Sequence, residues 1–187
     1  DLNLYLTSLT TSDKSSLAGI IFEHVSKYYL QTAPHYKSKL KNVWLLRDVS
    51  EEIKNELDLP SSDEGIDLIA ETIDNEYWAI QCKYRSNQNS TLTVKGDLST
   101  FANLAFNNCR NIKHGLVLTT SSKPPAKSKY LKNIGFETVD NFLALDDNSC
   151  EGWKAIKAKA EGGSFTPESK TPRPHQLEAV NKCIDYF

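Results

Sequence analysis

The chain has 187 residues, of which 39% are hydrophobic and 25% charged, and a net charge of −2. A chain of that size buries one full α/β core with a short appendage. No stretch approaches the ~20 apolar residues of a membrane span, so one main domain and no membrane partner are expected. With Lys+Arg 22 against Asp+Glu 24, contact with a polyanion has to be local rather than a bulk attraction. Lys83, Arg85, Lys95, Lys113, Lys123, Lys127, Lys129 and Lys132 offer a basic face in mid-chain, the alternative being a scattered solvated surface. Cys82, Cys109, Cys150 and Cys183 form no C-x-x-C pair and read as reduced, mostly buried thiols. The start lacks a basic, apolar leader and does not begin with Met, so a cytoplasmic fragment of a longer protein is expected.

The first element is a helix, with Leu17, Ile20, Ile21, His24, Val25 and Tyr28 on one face and Ser12, Ser15 or Ser16 as its cap; Pro34 ends it. Val43–Leu46 reads as a strand, 49–59 as a polar helix and 60–63 as a loop. Gly65–Glu71 and Tyr77–Lys83 then alternate as two strands about a polar turn at Asp74-Asn75-Glu76, the pattern of an antiparallel hairpin. Asp97–Thr100 caps a helix through Phe101, Leu104 and Ala105, and Gly115–Thr120 is a buried strand ending in hydroxyls. Pro124-Pro125 opens a helix closed by Gly135, Phe136–Val139 is a last strand, and a final helix covers about Trp153 to Ala160. No internal repeat is visible.

Gln81 and Lys83, two apart on one strand, share a face. With Asp67 on the neighbouring strand they make the order D…Q-x-K, which supplies oxygen ligands for a divalent cation and a positive charge beside an attacking water. The competing reading is polar residues meeting by chance in a hairpin. Parity distinguishes the two. A two-residue loop at Asp74-Asn75 would put Asp67 opposite Cys82, on the wrong face. A three-residue loop, Asp74 to Glu76, pairs Asp67 with Lys83 and keeps all three together, so an odd-length turn or an equivalent bulge is expected.

The residues Gly65-Ile66-Asp67-Leu68-Ile69-Ala70 and Ile80-Gln81-Cys82-Lys83-Tyr84 resemble the Mrr-like branch of the PD-(D/E)xK restriction endonucleases. Gly19–Val25, Gly115–Ser121 and Ile134–Leu145 are similar to flanking segments of that family, so the resemblance runs from about Leu17 to Leu145. It implies an α/β restriction-endonuclease-like fold with a central mixed sheet flanked by helices, and Mg²⁺-dependent hydrolysis of phosphodiester bonds in duplex DNA, with Mn²⁺ as an alternative ion. On that reading Asp67, Gln81 and the main-chain carbonyl of Cys82 hold the metal, and Lys83 positions the water. Glu23 has two readings, as a further member of the site or as a solvated carboxylate. Gln81 stands where many relatives carry Glu, and Glu23 or Asp63 would have to make up the missing charge.

Gly162-Gly163-Ser164 and Pro167, Pro172 and Pro174 mark a linker. Beyond it, Arg173-Pro174-His175-Gln176-Leu177-Glu178-Ala179 resembles the opening of superfamily-two helicases, in which the residue matching Gln176 contacts the adenine of ATP. No G-x-x-x-x-G-K-[ST] occurs, so ATP binding would need the rest of a motor in the same polypeptide. The expected partition is a nuclease domain over 1–160, a linker over 161–171 and the start of a motor over 172–187, the layout of single-polypeptide restriction enzymes. The alternative is a catalytically inactive nuclease fold serving as a DNA-binding or regulatory module.

Overall fold

The computed structural model describes residues 11–60, 65–125, 131–146, 150–167 and 173–186. Helix α1 (Thr11–Thr32) already contains Ser12, Ser15 and Ser16, so none of these three is its cap. It stops where the sequence indicates. Pro34 holds Ala33 extended, at ψ 126°, and becomes the first residue of the short α2 (Pro34–Lys37). The buried stripe of α1 is not the expected one: Ala18, Phe22, Ser26, Tyr29 and Leu30 are buried, whereas Ile20 is 42% exposed. Aromatic packing explains the rotation. Phe22 and Tyr29 both pack on Phe142, with ring centroids 5.4 and 4.9 Å apart, and Tyr29 meets Tyr36 at 5.8 Å.

Five strands form one sheet in chain order: β1 (Leu40–Leu45), β2 (Leu68–Thr72), β3 (Tyr77–Lys83), β4 (Ile112–Thr119) and β5 (Ile134–Glu137). β1, β2 and β3 run antiparallel, while β3, β4 and β5 run parallel. This is the expected mixed sheet. Its strands alternate: Leu68, Ala70, Ile80, Leu116 and Leu118 face α1, whereas Ile69, Ala79 and Val117 pack with Leu57, Leu98 and Phe101 on the other side.

Between β1 and β2, Ser50 accepts the Ile53 N–H at 3.4 Å to start α3 (Glu51–Leu57), which closes on left-handed Asp58. The helical stretch between β3 and β4 starts earlier than expected. Thr93, not Asp97–Thr100, caps it by accepting the Gly96 N–H at 3.2 Å. A π-helical turn (Val94–Leu98), helix α4 (Ser99–Asn103) and a second π-helical turn (Leu104–Asn108) follow.

The expected helix after Pro124-Pro125 falls largely outside the described residues. Its expected stop at Gly135 is corrected: Gly135 lies inside β5 opposite Leu116, where a Cβ would meet His114 and Leu116 at 3.2 and 3.3 Å. Close strand approach, not a helix end, accounts for that glycine, and the left-handed residue is Asn133. The strand therefore begins two residues sooner than the sequence suggested. Helices α5 (Val139–Leu143), α6 (Glu151–Ala160) and α7 (Pro174–Tyr186) complete the chain, and Leu177, Val180 and Ile184 of α7 are exposed. No helix among the described residues is long and apolar enough to cross a membrane.

Candidate active site

The site is built on the β2–β3 hairpin. Its ladder pairs Glu71 with Tyr77, Ala70 with Trp78 and Leu68 with Ile80, and the Thr72 N–H donates to the Glu76 carbonyl at 2.8 Å. Ile73, Asp74 and Asn75 make the turn, with Asn75 left-handed at φ 59° and the Thr72 hydroxyl accepting the Glu76 N–H at 3.0 Å. The loop has the odd length that parity demanded. It starts one residue earlier than Asp74–Glu76, because asparagine tolerates the left-handed position far better than glutamate. The register therefore moves by two, and the ladder ends at Leu68 with Ile80, whose carbonyl also takes the Asp67 N–H, so Asp67 comes beside Ile80 and Gln81 rather than opposite Lys83.

Asp67 sits where the alternation of β2 breaks. Ile66 packs on the face opposite to Leu68 although the two are only two residues apart. Gly65, at φ 114°, makes the bend, and a Cβ there would lie 3.4 Å from the Gln81 amide. The Asp67 main chain stays held between its neighbours: its N–H donates to Ile80 O and its carbonyl accepts the Leu46 N–H, both at 2.9 Å. Its carboxylate turns to β3 and accepts the Cys82 N–H at 2.5 Å. Asp67 thus grips the peptide unit that joins Gln81 to Cys82.

The hydrogen-bonding direction of β3 alternates along the strand. The Ile80 carbonyl faces β2, and the Lys83 carbonyl faces β4, where it accepts from the Thr119 hydroxyl at 2.8 Å. The Cys82 carbonyl therefore points toward β2, past the end of its ladder, beside Asp67. Gln81 is 2% exposed, and its Oε1 is buried and receives no hydrogen bond from the described residues. A buried acceptor without a donor is costly unless something positive sits against it, and this is the feature that fits a cation. Among the described residues no three His, Cys, Asp or Glu side chains form a metal-holding group, so a metal set built from them has at most two such side chains and is completed by amide and main-chain oxygens.

Glu23 is half-buried on α1, three residues before the fully buried Ser26. The rotation of the α1 stripe brings it closer to β3 than the expected apolar face implied. Burial first, then the charges of Asp67 and Glu23, push the Cys82 thiol well up, with Ser26 and Lys83 opposing them. Asp67, Glu23 and Lys83 thus all act on one point of β3. All four cysteines are free, but Cys82, Cys109 and Cys150 are half-buried and Cys183 is exposed, so they are not mostly buried as expected.

Residues outside the D…Q-x-K motif hold this end of β3 in place. The Thr120 hydroxyl donates to the Arg85 carbonyl at 2.9 Å and accepts the Arg85 N–H at 2.6 Å, so the hydroxyls ending β4 fix the backbone after Lys83. Asp97 takes the Arg85 guanidinium and also accepts the Thr93 N–H and hydroxyl at 2.7 and 3.0 Å. Burial opposes the charge on Asp97, but Thr93, Arg85 and Lys83 together hold its carboxyl below the usual range. Thr93 and Asp97, four apart with a glycine between, were the only hint of this in the sequence. Asp63 lies outside the described residues. Gln176 stands apart on exposed α7, with its Oε1 accepting the Arg173 N–H at 2.9 Å.

An ATP-dependent Type ISP restriction-modification enzyme, LlaBIII, solved bound to DNA, is similar to this chain at 21% identity and a TM-score of 0.59. The match covers 96% of this chain and 11% of that one, so this is a likeness of fold to about a tenth of a longer enzyme. A protein of unknown function matches at 12% identity and a TM-score of 0.36, over 86% of this chain and 78% of its own. No curated protein matches. A family model described as a restriction endonuclease, Mrr_cat_2, matches residues 31–161. That span holds the whole sheet with Asp67, Gln81 and Lys83, leaves Glu23 outside, and exceeds half of the 187 residues, so the chain belongs to the restriction endonuclease family.

Proposed function

We propose that this domain is a Mg²⁺-dependent endonuclease that hydrolyses phosphodiester bonds of duplex DNA. The observation that carries this reading is the Asp67 carboxylate on the Cys82 N–H, next in sequence to Gln81, whose buried oxygen accepts no hydrogen bond from the described residues. Asp67, Gln81 Oε1 and the Cys82 carbonyl would hold the ion, with Mn²⁺ able to replace Mg²⁺ and with Glu23 adding charge from α1. Bound there, the ion supplies Lewis acidity toward the scissile phosphate. Lys83, on the Gln81 face of β3, orients the attacking water and offsets negative charge growing on the phosphoryl oxygens. A P–O bond forms to that water as the ester P–O bond breaks. Thr119 and Thr120 keep the Lys83 segment in place during this exchange.

The further expectation is that residues 1–160 form the nuclease, 161–171 a linker and 172–187 the start of an ATP-driven motor in a longer cytoplasmic polypeptide engaged in restriction. The exposed α7 with Arg173, Pro174 and Gln176 supports this, as does the likeness to a segment of an ATP-dependent enzyme. A second reading, a nuclease fold that binds DNA without cutting, is favoured by the lack of a three-member acidic cluster among the described residues. Supercoiled plasmid incubated with the protein separates them. Nicking that requires Mg²⁺ and is lost in Lys83→Ala supports the endonuclease, and binding with no nicking in any metal supports the second reading.

A further inference from the structure

A cavity of about 440 Å³ lies along β1, lined by Lys27, Gln31, Lys37, Lys41, Trp44 and Lys159 among others, with no carboxylate in its wall. In a chain of net charge −2, four lysines around one hollow are a local concentration of positive charge. It is not the mid-chain face that the sequence suggested from Lys83, Arg85, Lys95, Lys113, Lys123 and Lys132, with Lys127 and Lys129 outside the described residues. Four separate segments supply the lysines: α1, α2, β1 and α6.

The hollow follows β1, the edge strand of the sheet among the described residues. The Leu46 N–H bonds the Asp67 carbonyl, so from Asn42 onward, past the register shift at Leu40, even-numbered residues of β1 turn their main chain to β2 and odd-numbered ones turn it outward. The outward Val43 carbonyl accepts the Gln31 amide at 3.2 Å, while Gln31 Oε1 is buried and receives no hydrogen bond from the described residues. Lys27 and Lys41 have carboxylates outside the hollow, Asp48 at 3.5 Å and Glu71 at 2.7 Å. Lys37 and Lys159 are exposed, and neither is ion-paired among the described residues. Lysines on an edge strand also serve to discourage strand addition. That role accounts for Lys41 but not for lysines converging on the same hollow from three helices.

The hollow is built on two elements that also border the candidate active site, β1 and α1. Trp44 is two residues, roughly 7 Å, before Leu46, which bonds Asp67, and Lys27 is about one helical turn, ~6 Å, beyond Glu23. Leu40 to Trp44 spans roughly 13 Å, long enough for a short run of backbone phosphates to lie alongside. We propose that this groove binds the sugar-phosphate backbone of the DNA flanking the scissile phosphate, with Lys27, Lys37, Lys41 and Lys159 as positioning residues that read charge and not sequence. The inference rests on the nuclease reading for its substrate.

The test measures equilibrium binding of a fluorescent duplex over a salt series, in Ca²⁺ to suppress cleavage, for the wild type, Lys37→Ala/Lys159→Ala and Lys113→Ala/Lys132→Ala. The two doubles remove equal charge from exposed sites, so folding is expected to be unaffected, checked by thermal melting. Losing two phosphate contacts lowers the slope of log K against log salt by about 1.8, which is about 60-fold in affinity near 0.1 M salt. The groove double should show this change and the Lys113/Lys132 double little of it. Equal losses in both, or an unchanged slope in the groove double, overturn the proposal. The result stays separable from the nuclease reading: Lys83-dependent nicking with an unchanged slope rejects only the groove, and a lowered slope in a protein that never nicks rejects only the nuclease.

Discussion

Replacing Gln81 by Glu restores the charge that the motif lacks and places it where it can be weighed. The side chain is 2% exposed. An ionised carboxylate there loses its hydration, a cost of several kcal/mol. It also stands near Asp67, whose carboxylate holds the N–H of the next residue; at a separation of ~5 Å the repulsion is about 3 kcal/mol at an effective dielectric near 20. Lys83, two residues on at roughly 7 Å, returns about 2 kcal/mol. The net expectation without metal is a loss of about 3–5 kcal/mol, or roughly 6–20 °C in Tm for a chain of this length. A divalent ion between the two carboxylates reverses the sign of their interaction, and its binding stabilises the fold by RT ln(1 + [L]/Kd), about 2.7 kcal/mol at 100 Kd. Differential scanning fluorimetry in EDTA and in saturating Mg²⁺ reads both effects. The variant should melt well below the wild type in EDTA and recover most of the gap in Mg²⁺. The same gap in both buffers, or no gap in EDTA, would refute the placement of Gln81 beside a cation site.

Three further expectations follow from the fold around that site. Gly65→Ala forces a Cβ into φ 114° beside the Gln81 amide and should cost ~1–3 kcal/mol in urea unfolding; a change under ~0.5 kcal/mol would mean Gly65 does not make the bend. Tyr36→Phe removes the hydroxyl that donates to buried Glu137 at 2.5 Å, while the other carboxylate oxygen already receives no hydrogen bond from the described residues. It should lower stability by ~1–3 kcal/mol, and a neutral result would show that Glu137 finds another donor. Asp97 has a lowered folded pKa, so its stabilisation is present above the unfolded value near 3.9 and is lost as pH falls through the lower folded value. The stability gap between wild type and Asp97→Asn should therefore be level from neutral pH to about pH 5 and close below about pH 4. Widening on acidification would contradict it.

The sheet and the motif were legible because they rest on local pattern. Period-two alternation marks β2 and β3, Pro34 marks the end of α1, and Gln81 with Lys83 follows from strand geometry alone. What was missed depends on competition between long-range contacts. The α1 stripe was assigned to aliphatic side chains, yet Phe22 and Tyr29 find Phe142 across the fold and turn the helix toward them. The parity of the hairpin was fixed by chemistry of the site, but its register was set by which residue tolerates the left-handed position, and Asn75 took it. Gly135 looks like a helix stop in one dimension and is a strand contact in three. The hydroxyls of Thr119 and Thr120 were visible as polar residues ending a strand, while their target, the backbone of Lys83 and Arg85, appears only once β3 and β4 are paired.

The central claim is that Asp67, Gln81 and the Cys82 carbonyl hold a divalent ion next to Lys83, and a Mn²⁺ titration followed by electron paramagnetic resonance tests it without relying on cleavage. The account predicts a single Mn²⁺ site per chain, displaced by Mg²⁺, lost in Asp67→Asn and retained in Lys83→Ala. No Mn²⁺ binding by the wild type, or binding that survives Asp67→Asn unchanged, would contradict it.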